Sequence, residues 1–347
     1  MENQIVSLIK NKKLVYKKRK LQSLKKNKIR VKLKTIGVCA SDVPRAFENG
    51  AYNYPLVMGH EMSGEIYESR VKNFKLKDKV SIFPLIPCKK CENCKIKKYN
   101  HCKSYGYYGS RQDGGFAKFI DVDPWNLIKT NKSLNFLDTF ALEPSAVALN
   151  TVNKTFKTKP NKKKILIIGS GFIGLLISQI IEIKFQSPNV TIIDRNKHKL
   201  KLASKKHKKK ILKEKKVENS FLNRFEFVID TTGSSEIINL ALNYVKNQGS
   251  ITLMGNINEN VNIKKKNINL ILRKELSIIG VWNSNFKNSS QNDWDEVLKL
   301  IKKGLKPSKY LSHKIKLEQL PKYLKKIYLN KLKKVKFKYL KLVVNND

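Results

Sequence analysis

Four of the chain's five cysteines stand between residues 88 and 102, in the stretch CKKCENCKIKKYNHC. Cys88, Cys91 and Cys94 repeat at C-x-x-C-x-x-C, and Cys102 follows. Such short steps let one loop bring several thiolates to about 2.3 Å from one ion, which is what tetrahedral zinc requires. An iron–sulfur cluster, a redox pair and a lysine-activated thiol are the alternatives. In the common ferredoxin run the fourth cysteine follows after three residues and precedes a proline, whereas Lys103 follows Cys102 here. A redox pair needs only two cysteines. The spacing favours structural zinc, and a site with four protein ligands is closed to substrate.

A second group combines GVCASD (37–42) with MGHEMSG (58–64). Cys39, His60 and Glu61 offer a soft, a borderline and a hard donor, each bounded by glycines. That mixture suits an open catalytic zinc, with one position left for water or substrate. A further protein ligand is expected from elsewhere, and Glu143, just before a proline in ALEPSAVALN, offers one.

The third group is a G-x-G-x-x-G: Gly169, Gly171 and Gly174, after the strand-like Ile165–Ile168 and before a helical apolar pattern. Alone the triplet means little. Here Asp194 closes VTIID twenty residues after Gly174, the spacing of a dinucleotide site. Glycines let the backbone approach a pyrophosphate at a helix N-terminus, where free N–H groups and the dipole favour anions. Asp194 can accept from both adenosine ribose hydroxyls and repels a 2′-phosphate, so NAD is expected over NADP, although Arg195 beside it could accommodate that phosphate.

These residues need elements to hold them. Strand-like FEFVIDTTG (225–233), a helix over 235–246, GSITLMG (249–255) and ELSIIGVW (275–282) continue an alternating pattern. Apolar strands alternating with helices imply a parallel sheet covered on both faces. The chain has 347 residues, enough for two domains, and 41% of them are apolar, enough to bury cores. The longest apolar run, 165–181, falls short of a membrane span and carries three glycines, so it reads as strand, turn and buried helix. The first twenty residues are rich in lysine without a signal-like apolar core. A cytoplasmic, reducing setting is expected, which argues for metal binding over disulfides.

The net charge of +45 would suggest nucleic acid or an anionic surface. Yet only 8 of the 72 basic residues are Arg, and the lysines spread over the whole length. Base readout leans on Arg and on clustered patches, so a specific nucleic-acid partner is not expected, nor is a membrane. The abundance of Lys, Asn and Ile, all with A/T-rich codons, accounts for the charge without a partner. Lysine-dense stretches at 205–216 and 331–341 read as solvated faces or loops.

Together these residues resemble the zinc-dependent medium-chain dehydrogenases, in their polyol dehydrogenase branch. The resemblance runs over roughly residues 30–320 and is carried by CASDVPRAFENGAYNYPLVMGHEMSG, GSRQDGGFAKFI and ILRKELSIIGVW. It implies an α/β fold: a GroES-like β-rich catalytic domain over 1–148, with a zinc lobe near 85–105, and a Rossmann NAD-binding domain over 149–284. The segment 285–347 would return to the catalytic domain, with the active site in the cleft between the domains. It implies two zinc ions per chain, one held by Cys39, His60 and Glu143 and one by Cys88, Cys91, Cys94 and Cys102. Glu61 would bind the first ion or sit behind it, and Ser41 would pass the substrate proton toward solvent. Gly169, Gly171, Gly174 and Asp194 would hold NAD, and Lys199 would make a second ribose contact.

The implied reaction is oxidation of a secondary alcohol of a small polyol or polyol phosphate, galactitol 1-phosphate to tagatose 6-phosphate first among them. Arg45 and Arg111 are candidates for a phosphate. Sorbitol, xylitol, butanediol or threonine oxidation is the alternative within the family. A non-catalytic zinc-braced protein that binds NAD or nucleic acid is the alternative outside it. A homo-oligomer, taken as a dimer, is expected. The sequence departs from the family at Arg70, at KDKV where Gly-Asp is common, and at Asn150 where a histidine is usual. After Lys199 it lacks the usual glycine and about nine residues before Phe225. None of these is a metal ligand.

Overall fold

The computed structural model describes residues 1–185, 188–212, 218–257, 259–287, 292–333 and 339–346. The chain forms two compact units: Met1–Pro144 with Asn285–Trp294 and Lys306–Asp347, and Ser145–Ser284 with Asp295–Leu305. This division differs from the expected 148/149 and 284/285 in two ways. The first break falls after Pro144, inside the helix Leu142–Thr155. Residues Asp295–Leu305 belong with the second unit, where Glu296 pairs with Lys184 and Gly304 accepts from Gln179 Nε2 at 3.3 Å.

The first unit is β-rich. Its largest sheet runs in the order Leu127–Lys129, Lys79–Ile82, Glu61–Ser69, Ile29–Val38, Leu342–Asn345, His313–Ile315, with Phe119–Val122 also pairing to Ile29–Val38. The strand Ile29–Val38 is almost wholly buried, and its Val, Ile and Leu side chains pack with Met62, Ile66, Val80 and Ile82. Both neighbours of this central strand pair antiparallel, with Gly37 opposite Glu61 and Val38 opposite Leu342. Residues from near the two ends of the chain therefore meet at one end of one strand. The lysine-rich N-terminus forms the hairpin Glu2–Lys10 and Lys13–Lys20, burying Ile5, Val6 and Leu8 while Lys17 to Lys20 stay in solvent.

The second unit is a six-stranded parallel sheet. Numbered from Lys164–Ile168 along the chain, its strands lie in the order 3-2-1-4-5-6, the doubly wound arrangement. The expected helix over 235–246 ends at Tyr244, because the chain turns there into the strand Val245–Leu253. The apolar run at 165–181 divides into strand, turn and the helix Phe172–Lys184. No described helix is long and apolar enough to cross a membrane.

The lysine-dense stretch 205–216 is not simply loop. Lys208–Ile211 is the edge strand of the parallel sheet, pairing with Thr191–Asp194; residues 213–216 lie outside the described residues. Lysines on an edge strand discourage pairing with another sheet. In 331–341, residues 334–338 also lie outside the described residues, but Lys341 is buried.

Candidate metal centres and dinucleotide site

The four clustered cysteines converge. Their sulfurs all lie within 4.8 Å of one another, with Cys88–Cys94 and Cys91–Cys102 separations of 3.9 Å. Four sulfurs at Zn–S of ~2.3 Å on a tetrahedron stand ~3.8 Å apart, so the spacing fits zinc. Two short elements, Glu92–Lys95 and Tyr99–His101, turn the chain back on itself, and backbone N–H groups approach the sulfurs. Cys88 N reaches Cys102 Sγ at 3.2 Å, and Cys91 N reaches Cys88 Sγ at 3.4 Å. Backbone hydrogen bonds, from Lys103 first, hold the Cys91 thiol down to about 6, in thiolate territory at neutral pH. All five cysteines are free of disulfides.

The second centre also brings its donors together. Cys39, His60 and Glu61 offer donor atoms within 4.8 Å of one another. Glu143, expected as the third ligand, is not in that trio: its Oε1 accepts from the Tyr107 hydroxyl at 3.4 Å. Gly37, opposite Glu61 in the sheet, leaves room for its carboxylate. A Cβ on Gly37 would lie 1.9 Å from Glu61 Oε2. A thiolate, an imidazole and a carboxylate are a donor set that suits zinc.

The electrostatics point the same way. Burial opposes a charged His60, but Cys39, Asp42 and Glu143 outweigh it and lift the imidazole to about 10. Three acidic side chains therefore act on the His60 ring. Burial raises Glu143 to about 7, with His60 opposing and Glu61 adding. Asp42 Oδ1, Arg45 Nη1 and His60 Nδ1 are buried without hydrogen-bond partners.

Three residues of this centre escaped the sequence reading. Asp42, fully buried, accepts from Cys39 N at 2.9 Å and lies 3.7 Å from His60 Nδ1. The signal was its place three residues after Cys39 in CASD. Tyr107 sets its ring edge-on to His60, 5.8 Å between centroids. Lys341 had been read as solvated; instead it is 3% exposed, and its ammonium donates to Glu61 Oε1 at 2.6 Å and to the Val38 carbonyl at 2.9 Å. Strand pairing beside Val38 carries it inside, and a buried carboxylate needs a cation. Ser41, two residues from Cys39, is half-buried at the start of the helix Asp42–Phe47 and makes no capping bond.

In the second unit each motif glycine has a physical task. Gly169 holds φ 104° while its N–H donates to Ile193 O at 2.8 Å. A Cβ on Gly174 would lie 2.0 Å from Gly169 O, so the third glycine lets helix and strand close up. A Cβ on Gly171 would meet nothing within 4 Å, leaving open space at the N-terminus of Phe172–Lys184. Asp194 is held by Ser170 N and Asn196 N, both at 2.7 Å. Lys199 is half-buried beside it; burial lowers its pKa, Asp194 opposes and Arg195 adds. Asn150, at the family's histidine position, is buried and donates to Asn283 O at 2.8 Å.

Comparison with known proteins agrees with this geometry. Residues 25–132 match the family described as alcohol dehydrogenase GroES-like domain, and residues 173–303 match zinc-binding dehydrogenase. Galactitol 1-phosphate 5-dehydrogenase of Escherichia coli (strain K12) is 31% identical over 284 residues, covering 79% of this chain and 81% of that protein. L-galactonate-5-dehydrogenase of the same strain is 24% identical, over 84% of this chain and 85% of its own. The crystal structure of galactitol-1-phosphate dehydrogenase from Escherichia coli superposes with a TM-score of 0.87 at 26% identity, covering 99% of both chains. That of 2R,3R-butanediol dehydrogenase from Bacillus subtilis, at 22% identity, shares the fold with a TM-score of 0.85 over 99% of this chain and 100% of its own. It follows that this chain belongs to the zinc-dependent medium-chain dehydrogenases, among the polyol dehydrogenases of that family.

Proposed function

We propose that the chain oxidises a secondary alcohol of a polyol or polyol phosphate with NAD as hydride acceptor, galactitol 1-phosphate to tagatose 6-phosphate being the first reaction to test. The observation that carries this reading is the convergence of Cys39, His60 and Glu61 on one point of a chain that also has a dinucleotide motif. A zinc ion there would supply Lewis acidity that lowers the pKa of a substrate hydroxyl.

The protein's own groups do the rest. Lys341 holds the Glu61 carboxylate in place, and Tyr107 packs on the His60 ring and donates to Glu143. Ser41 offers the hydroxyl that takes the substrate proton toward solvent. Gly169, Gly171 and Gly174 would admit the pyrophosphate of NAD, Asp194 both adenosine ribose hydroxyls, and Lys199 a second ribose contact. The second zinc, at Cys88, Cys91, Cys94 and Cys102, would brace its lobe. Five cysteines without a disulfide fit the cytoplasmic setting proposed from the sequence.

The proposed partner is a second copy. Ser277–Gly280 is an edge strand of the parallel sheet, and Ile278 and Trp282 on and beside it are 48% and 51% exposed. An open apolar edge of this kind invites pairing with another strand.

The test is a substrate panel with NAD, followed by reduced-nicotinamide absorbance: galactitol 1-phosphate, sorbitol, xylitol, butanediol and threonine. The phosphorylated polyol should have the highest kcat/KM. Preference for an unphosphorylated alcohol would reject that substrate and keep the chemistry.

A further inference from the structure

Arg111 sits in an arrangement that the hydride-transfer reading leaves unused. Its guanidinium carbon lies 4.4 Å from the ring centre of Tyr52 and 4.2 Å from that of Tyr105. Packing on two rings fixes the guanidinium plane while leaving its in-plane N–H groups available. Nη2 donates to the Tyr52 hydroxyl at 3.4 Å, and no described carboxylate forms an ion pair with Arg111. Tyr52 is 65% exposed, so substrate can reach the group from solvent. Inward, Tyr105 meets Tyr107 at 6.4 Å between ring centres, and Tyr107 meets His60 at 5.8 Å. Arg111 is therefore three side-chain contacts from a residue of the catalytic trio.

Its position relative to that trio is set by backbone. Arg111 N and Gln112 N both donate to Tyr107 O, at 3.0 and 3.1 Å, and Gly109 N donates to Gln112 O at 2.8 Å. This turn rests directly on Gly59, the residue before His60. A Cβ on Gly109 would lie 2.4 Å from Gly59 O, and one on Gly114 would lie 2.2 Å from it. Gly115 N donates to Gly59 O at 2.8 Å, and Gly114 N to Val57 O at 2.7 Å. A cation on a turn fixed to the residue before His60 is suited to orienting one end of a substrate.

We propose that Arg111, clamped by Tyr52 and Tyr105, binds a terminal oxyanion, phosphate or carboxylate, on the substrate chain. The proposal rests on the dehydrogenase reading and adds the substrate class to it. Guanidinium recognises either oxyanion through parallel N–H bonds, and five-donor planar geometry makes it a better match than an ammonium. The many lysines of this chain therefore do not substitute for it.

The test uses the zinc-loaded enzyme with NAD and three substrates: galactitol 1-phosphate, L-galactonate and galactitol. Arg111→Ala should raise KM for whichever oxyanion-bearing substrate the enzyme uses by about 10- to 100-fold, the loss of a charge-assisted contact, with kcat unchanged. Turnover of galactitol should not respond. Arg111→Lys should recover only part of the loss, and Tyr52→Ala should move KM in the same direction. Response of the phosphate arm alone, or of the carboxylate arm alone, identifies the group bound. If the wild type oxidises these substrates and Arg111→Ala changes none, or changes all three alike, the subsite is overturned and the dehydrogenase reading stands. If the wild type oxidises galactitol but neither oxyanion-bearing substrate, or oxidises none of the three while turning over another alcohol of the panel, the subsite is overturned and the dehydrogenase reading stands. If it oxidises no alcohol of the panel, both fall.

Discussion

The Lys341 ammonium lies 2.6 Å from Glu61 Oε1, both side chains buried, although the two residues are 280 positions apart. The side chains meet at one end of the strand Ile29–Val38, beside Gly37. Removing one partner of such a pair leaves a bare charge in the interior. Lys341→Met should lower the unfolding free energy of the zinc-free protein by about 3–5 kcal/mol in a urea titration. Adding Glu61→Gln should recover much of that. A loss below about 1 kcal/mol for the single variant would mean that the pair is not structural.

The two metal centres should separate by substitution. Cys39→Ser should abolish turnover, lower zinc from two per chain to one by elemental analysis, and leave the melting temperature nearly unchanged. Cys91→Ser should also lower zinc to one, and should lower the melting temperature, because metal binding there is folding free energy. Full activity in Cys39→Ser would refute the metal mechanism.

Much of this site is legible in the sequence, and the reason is locality. Cys39, His60 and Glu61 stand in short glycine-bounded motifs, and the zinc lobe is one loop. The glycines and Asp194 span a single βαβ unit, so their pattern can be read along the chain. Lys341 and Tyr107 are illegible for the opposite reason: each reaches the site through a distant strand or turn. Lys341 is one lysine among 64, and only strand pairing distinguishes it from its solvated neighbours. Glu143 comes from a separate helix, and a glutamate before a proline says nothing of whether its carboxylate faces a metal or the Tyr107 hydroxyl.

Lys77 stands in KDKV, where the family resemblance leads one to expect glycine, and it adopts φ 65°. That left-handed conformation costs a side chain about 1 kcal/mol or more, part of which glycine would return through its freer unfolded chain. Lys77→Gly should raise stability by about 0.5–1 kcal/mol in a thermal melt. An unchanged or lower melting temperature would show that the turn is relaxed with lysine in place.

His207 predicts an acid limb of stability in the second unit. Its ring is buried, with Nε2 3.3 Å from Ser178 O and 3.6 Å from Glu182. Burial lowers its pKa below the ordinary 6.5; Glu182 and the Ser178 carbonyl oppose, while Lys209 and Lys206 add. The unfolded chain therefore takes up the proton first. The contribution is fully present above 6.5 and is lost as pH falls through the depressed native value. His207→Gln should flatten that part of a stability-versus-pH curve measured by urea unfolding. A curve unchanged in slope would show that His207 does not titrate differently on folding.

The edge strand Ser277–Gly280 gives the proposed dimer its own test. Ile278→Lys should shift the protein to monomer in sedimentation or size-exclusion measurements, with zinc content intact. Unchanged size would place the interface elsewhere.

The two margins of the parallel sheet are unlike each other: Lys208 and Lys209 crowd one in solvent, while Ile278 leaves the other apolar. Two copies joined through the apolar margin by a two-fold axis would expose only lysine-coated ends. Growth into a filament would then be blocked at both termini of the doubled sheet. The basic residues of Lys208–Ile211 would act as a terminator of assembly, a use of charge that requires no anion to bind.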